Sequence, residues 1–338
     1  MLSQNRSRRA LAFLGSLAFL AGLIPTSAAA QYAITNLVSN QKGQAKHQDS
    51  DLVNAWGMSF ASGGPFWVSD NGTGLSTLYD NKGVKQNLVV TIPTASGTGV
   101  GSPTGQVYNN TGDFLVGGSP AFFIFDTLDG TISGWNSGTS AVITVSAPSG
   151  TSYTGLAIGQ SAKANFLFAA DNANNKIDIY DGSFKLVSSF GDSKLTGLSV
   201  YNVQNINGKL YVTFSDNAFS KGAVDIFSTS GKLIKRLTKD AHLKAPWGVA
   251  LAPKNFGPAS NALLVGNVAD GRISVFNAKG GKFMTQLAGT NKKVISISGL
   301  WALSFGQGGG SNGKPNQLFF AAGTNGYADG LFGVINFK

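Results

Sequence analysis

Asp70, Asp126, Asp171 and Asp216 each end an apolar run, and Asn267 ends another, in the segments FWVSD, FFIFD, FLFAAD, LYVTFSD and LLVGN. Asn71, Asn172 and Asn217 follow three of them. Carboxylate and amide oxygens brought to one place suit a hard cation such as Ca2+ or the hydroxyls of a sugar-like molecule. The competing use is local. Asp and Asn after a strand commonly bond their own turn backbone, and SDNG and VADG are ordinary hairpin sequences. The only histidines, His47 and His242, stand beside carboxylates in HQDSD and DAH. A His with an Asp can bind a metal or act as a base with an orienting partner.

The composition narrows this chemistry. All 16 acidic residues are Asp, and there is no cysteine, so no thiolate site, disulfide or cysteine nucleophile is available. No serine-centred nucleophile elbow and no zinc-type histidine spacing is present. The Gly-rich stretches NNTGDFLVGGSPA and FGQGGGSNGKPNQ lack the pattern of a phosphate-binding loop and read as surface loops. The net charge is +10, of which Arg6, Arg8 and Arg9 supply three, and the remaining positive charge is almost all lysine. Nucleic-acid readers favour arginine forks and clustered basic runs, so no nucleic-acid partner is expected.

The elements that must position these residues repeat. WGMSF (56–60), TGQVY (104–108), TGLAI (154–158), TGLSV (196–200), WGVAL (247–251) and WALSF (301–305) recur at intervals of 48, 50, 42, 51 and 54 residues. After each comes an apolar run of the kind above, then STLYD, ISGWN, IDIYD, VDIFS, ISVFN or FGVIN. In most copies a fourth run follows, as in QNLVVTIP (86–93) and KLIKRL (232–237). Four strands repeated six times predict an all-β, six-bladed β-propeller with four-stranded blades. Glycine after the opening residue would let backbones approach near the axis. The sixth copy stops at its third strand, so YAITNLVS (32–39) is expected to complete it and close the ring.

In such a ring the second-to-third and fourth-to-first connections share one face, around the mouth of the central channel. Asn54, Trp56, Asp70, Asp171, Asn172, Asp216, Trp247, Asn267 and Trp301 are therefore the candidate ligand-binding residues, with Asp171, Asp216 and Asn267 the candidate metal ligands. The tryptophans also read as packing between blades. No catalytic residue is assigned.

Residues 1–30 carry the parts of an export signal: a basic start, the apolar stretch from Ala10 to Ile24, and Ala28-Ala29-Ala30 as a cleavage site. The apolar stretch is short for a membrane span, and no second one follows. The expected product is residues 31–338, one monomeric propeller domain in the periplasm or outside the cell.

NAWGMSF, FWVSDNGTGLSTLYDNKG, FDTLDGTISGWN and APWGVAL together resemble a family of exported bacterial proteins with no assigned activity, some of which carry a PEP-CTERM sorting tail. No such tail precedes Lys338, so the resemblance does not imply surface sorting. The repeats are also similar to NHL-type propellers and, more distantly, to gluconolactonase-like propellers. The last resemblance implies a metal held by Glu, Asn and Asp; without glutamate only an Asp/Asn variant is open. Three functions remain: a binding protein for a small molecule, glycan or envelope protein; a calcium-type metal-dependent hydrolase or lyase at the channel mouth; or a structural extracellular protein.

Overall fold

Six four-stranded antiparallel sheets follow one another along the chain in the computed structural model, which describes residues 31–97 and 99–338. The export-signal segment lies outside the described residues. The first strands are Ala55–Ser59, Pro103–Tyr108, Tyr153–Ser161, Ser199–Ile206, Pro246–Leu251 and Leu300–Phe305. Each packs on the first strand of the next blade, and the sixth on the first, so these strands ring a common axis. The protein is a six-bladed β-propeller.

The ring closes as the repeat count predicts. Tyr32–Ser39 pairs antiparallel with Asp329–Phe337, from Tyr32 opposite Phe337 to Ser39 opposite Leu331, and forms the outer strand of blade 6. His47–Gln48 adds a short parallel strand beyond it. Tyr32 also ties blade 6 to blade 5: its hydroxyl donates to the Phe256 carbonyl at 2.8 Å and accepts from the Ala259 amide at 3.2 Å. Large side chains fill the space between blades; Phe66, Tyr79, Phe319 and Phe332 bury one continuous aromatic layer where blade 1 meets blade 6. This contact removes the faces that a lone sheet would expose.

Every first strand shifts register against its neighbour near the repeated dipeptide. A bulge of this kind re-aims side chains. It also brings backbones together: a Cβ on Gly57 would lie 2.4 Å from the Thr104 carbonyl oxygen, and one on Gly105 would lie 2.2 Å from the Leu156 nitrogen. Copy four differs from the expectation. TGLSV (196–200) begins ahead of its strand, with Gly197 in a left-handed turn at φ 75. Val203 stands opposite Val212 as Met58 stands opposite Val68, so Tyr201-Asn202 takes the place of Trp56-Gly57. With Trp56, Thr104, Thr154, Tyr201, Trp247 and Trp301 as markers, the intervals become 48, 50, 47, 46 and 54 residues.

Candidate functional site

The first strands all run the same way along the axis. Their starts define an upper face, which also carries the second-to-third turns; their ends define a lower face. At the upper end the axis is filled by aromatic side chains. Trp56 of blade 1 stacks on Trp301 of blade 6 at 3.6 Å between ring centroids. Trp247 of blade 5 meets both edge-on, at 6.3 and 6.1 Å. Tyr201 of blade 4 and Tyr327 lie 6.0 and 5.6 Å from Trp301. The Trp247 indole N–H donates across the axis to the Thr154 carbonyl at 2.8 Å, and that of Trp301 donates to Asn54 Oδ1 at 3.1 Å. The three tryptophans are buried, and burial pushes the Tyr201 hydroxyl well above its usual pKa.

The polar candidates of the upper face serve turns and blade-to-blade staples. Asn54, at φ 48, donates to Asn71 Oδ1 at 3.0 Å while it accepts from Trp301. Asn71 donates to the Pro103 carbonyl of blade 2, and Asn172 donates to the Val200 carbonyl of blade 4 at 2.7 Å. Asp171 accepts from the Asn174 amide and side chain within its own turn. Asp216 accepts from the Ser220 and Lys221 amides and from the Ser220 hydroxyl, which holds its carboxyl below the usual range. Asn267 donates to the His242 carbonyl at 2.7 Å and to Asp270. Asp70 is fully buried and accepts from Thr77; burial raises its pKa well above normal. Asp171, Asp216 and Asn267 thus each face a separate turn. Among the described residues no three His or carboxylate side chains group as a metal site.

The two histidines stand apart. His47 lies in the short strand beside Val38. His242 Nδ1 lies 2.6 Å from Asp240 Oδ1, with its ring stacked on Phe283 at 3.7 Å.

Below the aromatic cluster a cavity of about 290 Å3 opens along the axis toward the lower face. Its wall comes from all six blades, including Met58, Gln106, Ile158, Gln204, Trp247 and Ser304. None of its lining residues is Asp, His, Lys or Arg. Some of its polar groups hold the ring together. Gln106 donates to the Gly57 carbonyl at 3.0 Å and to Ser69 at 3.1 Å; Asn202 donates to the Trp247 carbonyl and Asn205 to the Ile158 carbonyl, both at 2.8 Å. Others are uncommitted: the side chains of Tyr108, Asn110, Gln204, Ser304 and Gln307 make no hydrogen bond within the described residues. The sequence reading named none of these five, because it drew its candidates from the upper face.

No family model matches the chain. Two uncharacterised proteins of Acanthamoeba polyphaga mimivirus are similar along most of it. One is 27% identical over 334 residues, covering 92% of this chain and 82% of the relative. The other is 28% identical over 338 residues, covering 92% and 87%. The resemblance to an exported bacterial family finds no support in these viral relatives. Among solved structures, a streptogramin B lyase superposes with a TM-score of 0.55 at 13% identity, covering 91% of this chain and 98% of the lyase. Virginiamycin B lyase from Staphylococcus aureus gives 0.54 at 11% identity, covering 91% and 99%. A luciferin-regenerating enzyme gives 0.52 at 10% identity, covering 85% and 92%. At such identities these likenesses establish the fold alone, and what they add to the geometry is that the chain is built as a β-propeller.

Proposed function

We propose that the chain is an exported binding protein that takes an uncharged, hydrogen-bonding ligand in the axial cavity of its lower face. The observation that carries this reading is the lining of that cavity: free amides and hydroxyls beside apolar strands, with no acidic or basic side chain. A charged ligand would lose its hydration there without gaining a counter-charge. A neutral ligand can exchange water for the amides of Gln204 and Gln307. Export rests on the basic, apolar and small-residue parts of residues 1–30.

Thermal melts of the purified protein with neutral sugars, polyols and amides, beside charged analogues, test this reading. A ligand that binds only the folded state raises Tm by mass action. Neutral compounds should raise it, and Gln204→Ala should remove the effect. A preference for charged analogues, or binding indifferent to Gln204, would overturn the reading.

The second reading is a lyase or lactonase on the upper face. It is favoured by the His242–Asp240 contact, in which a carboxylate orients an imidazole. Turnover of lactones or esters that disappears in His242→Ala would support it.

A further inference from the structure

Beside the axial cavity, on blade 2, lies a second depression of about 790 Å3. Tyr108 and Asn110 line both, so the two adjoin and together reach from the axis toward the rim of the lower face. The outer part is walled by the insertion hairpin, represented by Val116 and Pro120, together with the turn at Asn136. Phe122, which is 50% exposed, is among its lining residues. The lining again contains no Asp, His, Lys or Arg.

The walls are braced. Asn136 donates to the Val116 carbonyl at 2.8 Å and the Ser119 carbonyl at 3.2 Å, fixing the hairpin. Buried Asn109 donates to the Ala121 and Asp113 carbonyls, at 2.8 and 3.1 Å, fixing its base. Phe114, fully buried, anchors the insertion against Phe184 of blade 3. A preformed path loses little entropy when a ligand settles in it.

From the adjacency of two uncharged depressions and the exposed Phe122 ring we infer that the ligand is a linear, uncharged oligosaccharide whose end unit occupies the axial cavity and whose following units run over Phe122 of blade 2. The inference rests on the proposed function of the cavity and adds the ligand class and its direction. A sugar ring is two-sided in its chemistry. Its C–H face packs on an aromatic ring, and its hydroxyl edge needs neutral donors and acceptors. Phe122 supplies the first; the uncommitted Asn110 amide and Tyr108 hydroxyl supply the second.

The test is calorimetric titration of the full chain with uncharged gluco-, manno-, galacto- and chito-oligosaccharides, from monosaccharide to hexasaccharide. Affinity should rise with length in at least one series. Phe122→Ala should weaken the longest member about fivefold, the scale of one aromatic contact, and leave the monosaccharide unchanged. Phe122 is half exposed, so an unchanged Tm will show that this variant folds. If short saccharides bind through Gln204 but neither length nor Phe122→Ala matters, the path over blade 2 is wrong and the cavity reading stands. If uncharged peptides bind in place of every saccharide, the ligand class is wrong. If no uncharged compound binds, both readings fall.

Discussion

Replacing Trp301 tests whether the upper end of the axis is held shut by packing. The side chain is 2% exposed, stacks on Trp56, meets Trp247 edge-on, and donates one hydrogen bond to Asn54. Truncating a buried Trp to Ala removes its transfer free energy and leaves a cavity, at a cost of about 3–5 kcal/mol. Trp301→Phe keeps a ring in the stack and gives up the N–H bond, worth about 1 kcal/mol, and a smaller part of the packed ring. Urea denaturation should show a much lower midpoint for Trp301→Ala and a small change for Trp301→Phe, with equal slopes. At about 2 °C per kcal/mol for a chain of this size, Trp301→Ala should melt roughly 8 °C lower. Near-ultraviolet circular dichroism should lose the signal of the Trp56–Trp301 stack in the Ala variant. If Trp301→Ala costs under about 1 kcal/mol, or the two variants are equally unstable, the ring stack does not hold the axis and the reasoning fails.

Further consequences concern other parts of the ring. Burial, with Asp192 beside it, pushes the Asp225 carboxyl up from 3.8 to about 7. A raised folded-state pKa gives stability that is present at low pH and lost as pH rises through the folded value, so Tm should be higher near pH 6 than near pH 8. Asp225→Asn should flatten that slope; an unchanged slope in melts across this range would refute the assignment. Asp192, held low by Arg236, loses its contribution only in acid, below its unfolded value of 3.8, outside this window. Gly105→Ala should destabilise by about 2 kcal/mol or more, because its Cβ would press on backbone rather than on a movable side chain. A neutral effect on the urea midpoint would mean that the first strands are not in close contact. Removal of Tyr32–Ser39 should destroy cooperative unfolding, because it strips the outer strand of blade 6 and the Tyr32 bonds to blade 5. Melts with EDTA and with added Ca2+ should coincide, since Asp171, Asp216 and Asn267 face separate turns; a calcium-dependent rise would reinstate a metal site on the upper face.

The fold was largely legible because its signals are local and repeated. Apolar runs ending in Asp or Asn mark second strands, and the missing fourth strand of the last copy pointed to YAITNLVS, which pairs with Asp329–Phe337. Copy four misled because TGLSV has the composition of a first-strand opening, whereas the ring uses Tyr201-Asn202 there. The site was less legible. Asp171, Asn172 and Asp216 are conspicuous in sequence, but their bonds stay within turns or reach the adjoining blade. The axial cavity is built from residues such as Gln106, Gln204 and Ser304, drawn from all six blades, with nothing unusual about any of them alone. They share a wall only because six strands carry them to the same level below the tryptophans, and no spacing within one repeat announces that. The polar lining became recognisable only once the register of all six first strands was known.

The central claim, that the lower face binds an uncharged ligand, is tested most directly by a calorimetric comparison of two variants on opposite faces. An uncharged hexasaccharide would be titrated into the wild type, Gln204→Ala in the cavity, and Asn172→Ala on the upper face. Binding that falls about tenfold or more in Gln204→Ala and is unchanged in Asn172→Ala is the predicted result. Binding that survives Gln204→Ala and is lost in Asn172→Ala would contradict the account and return the site to the upper face.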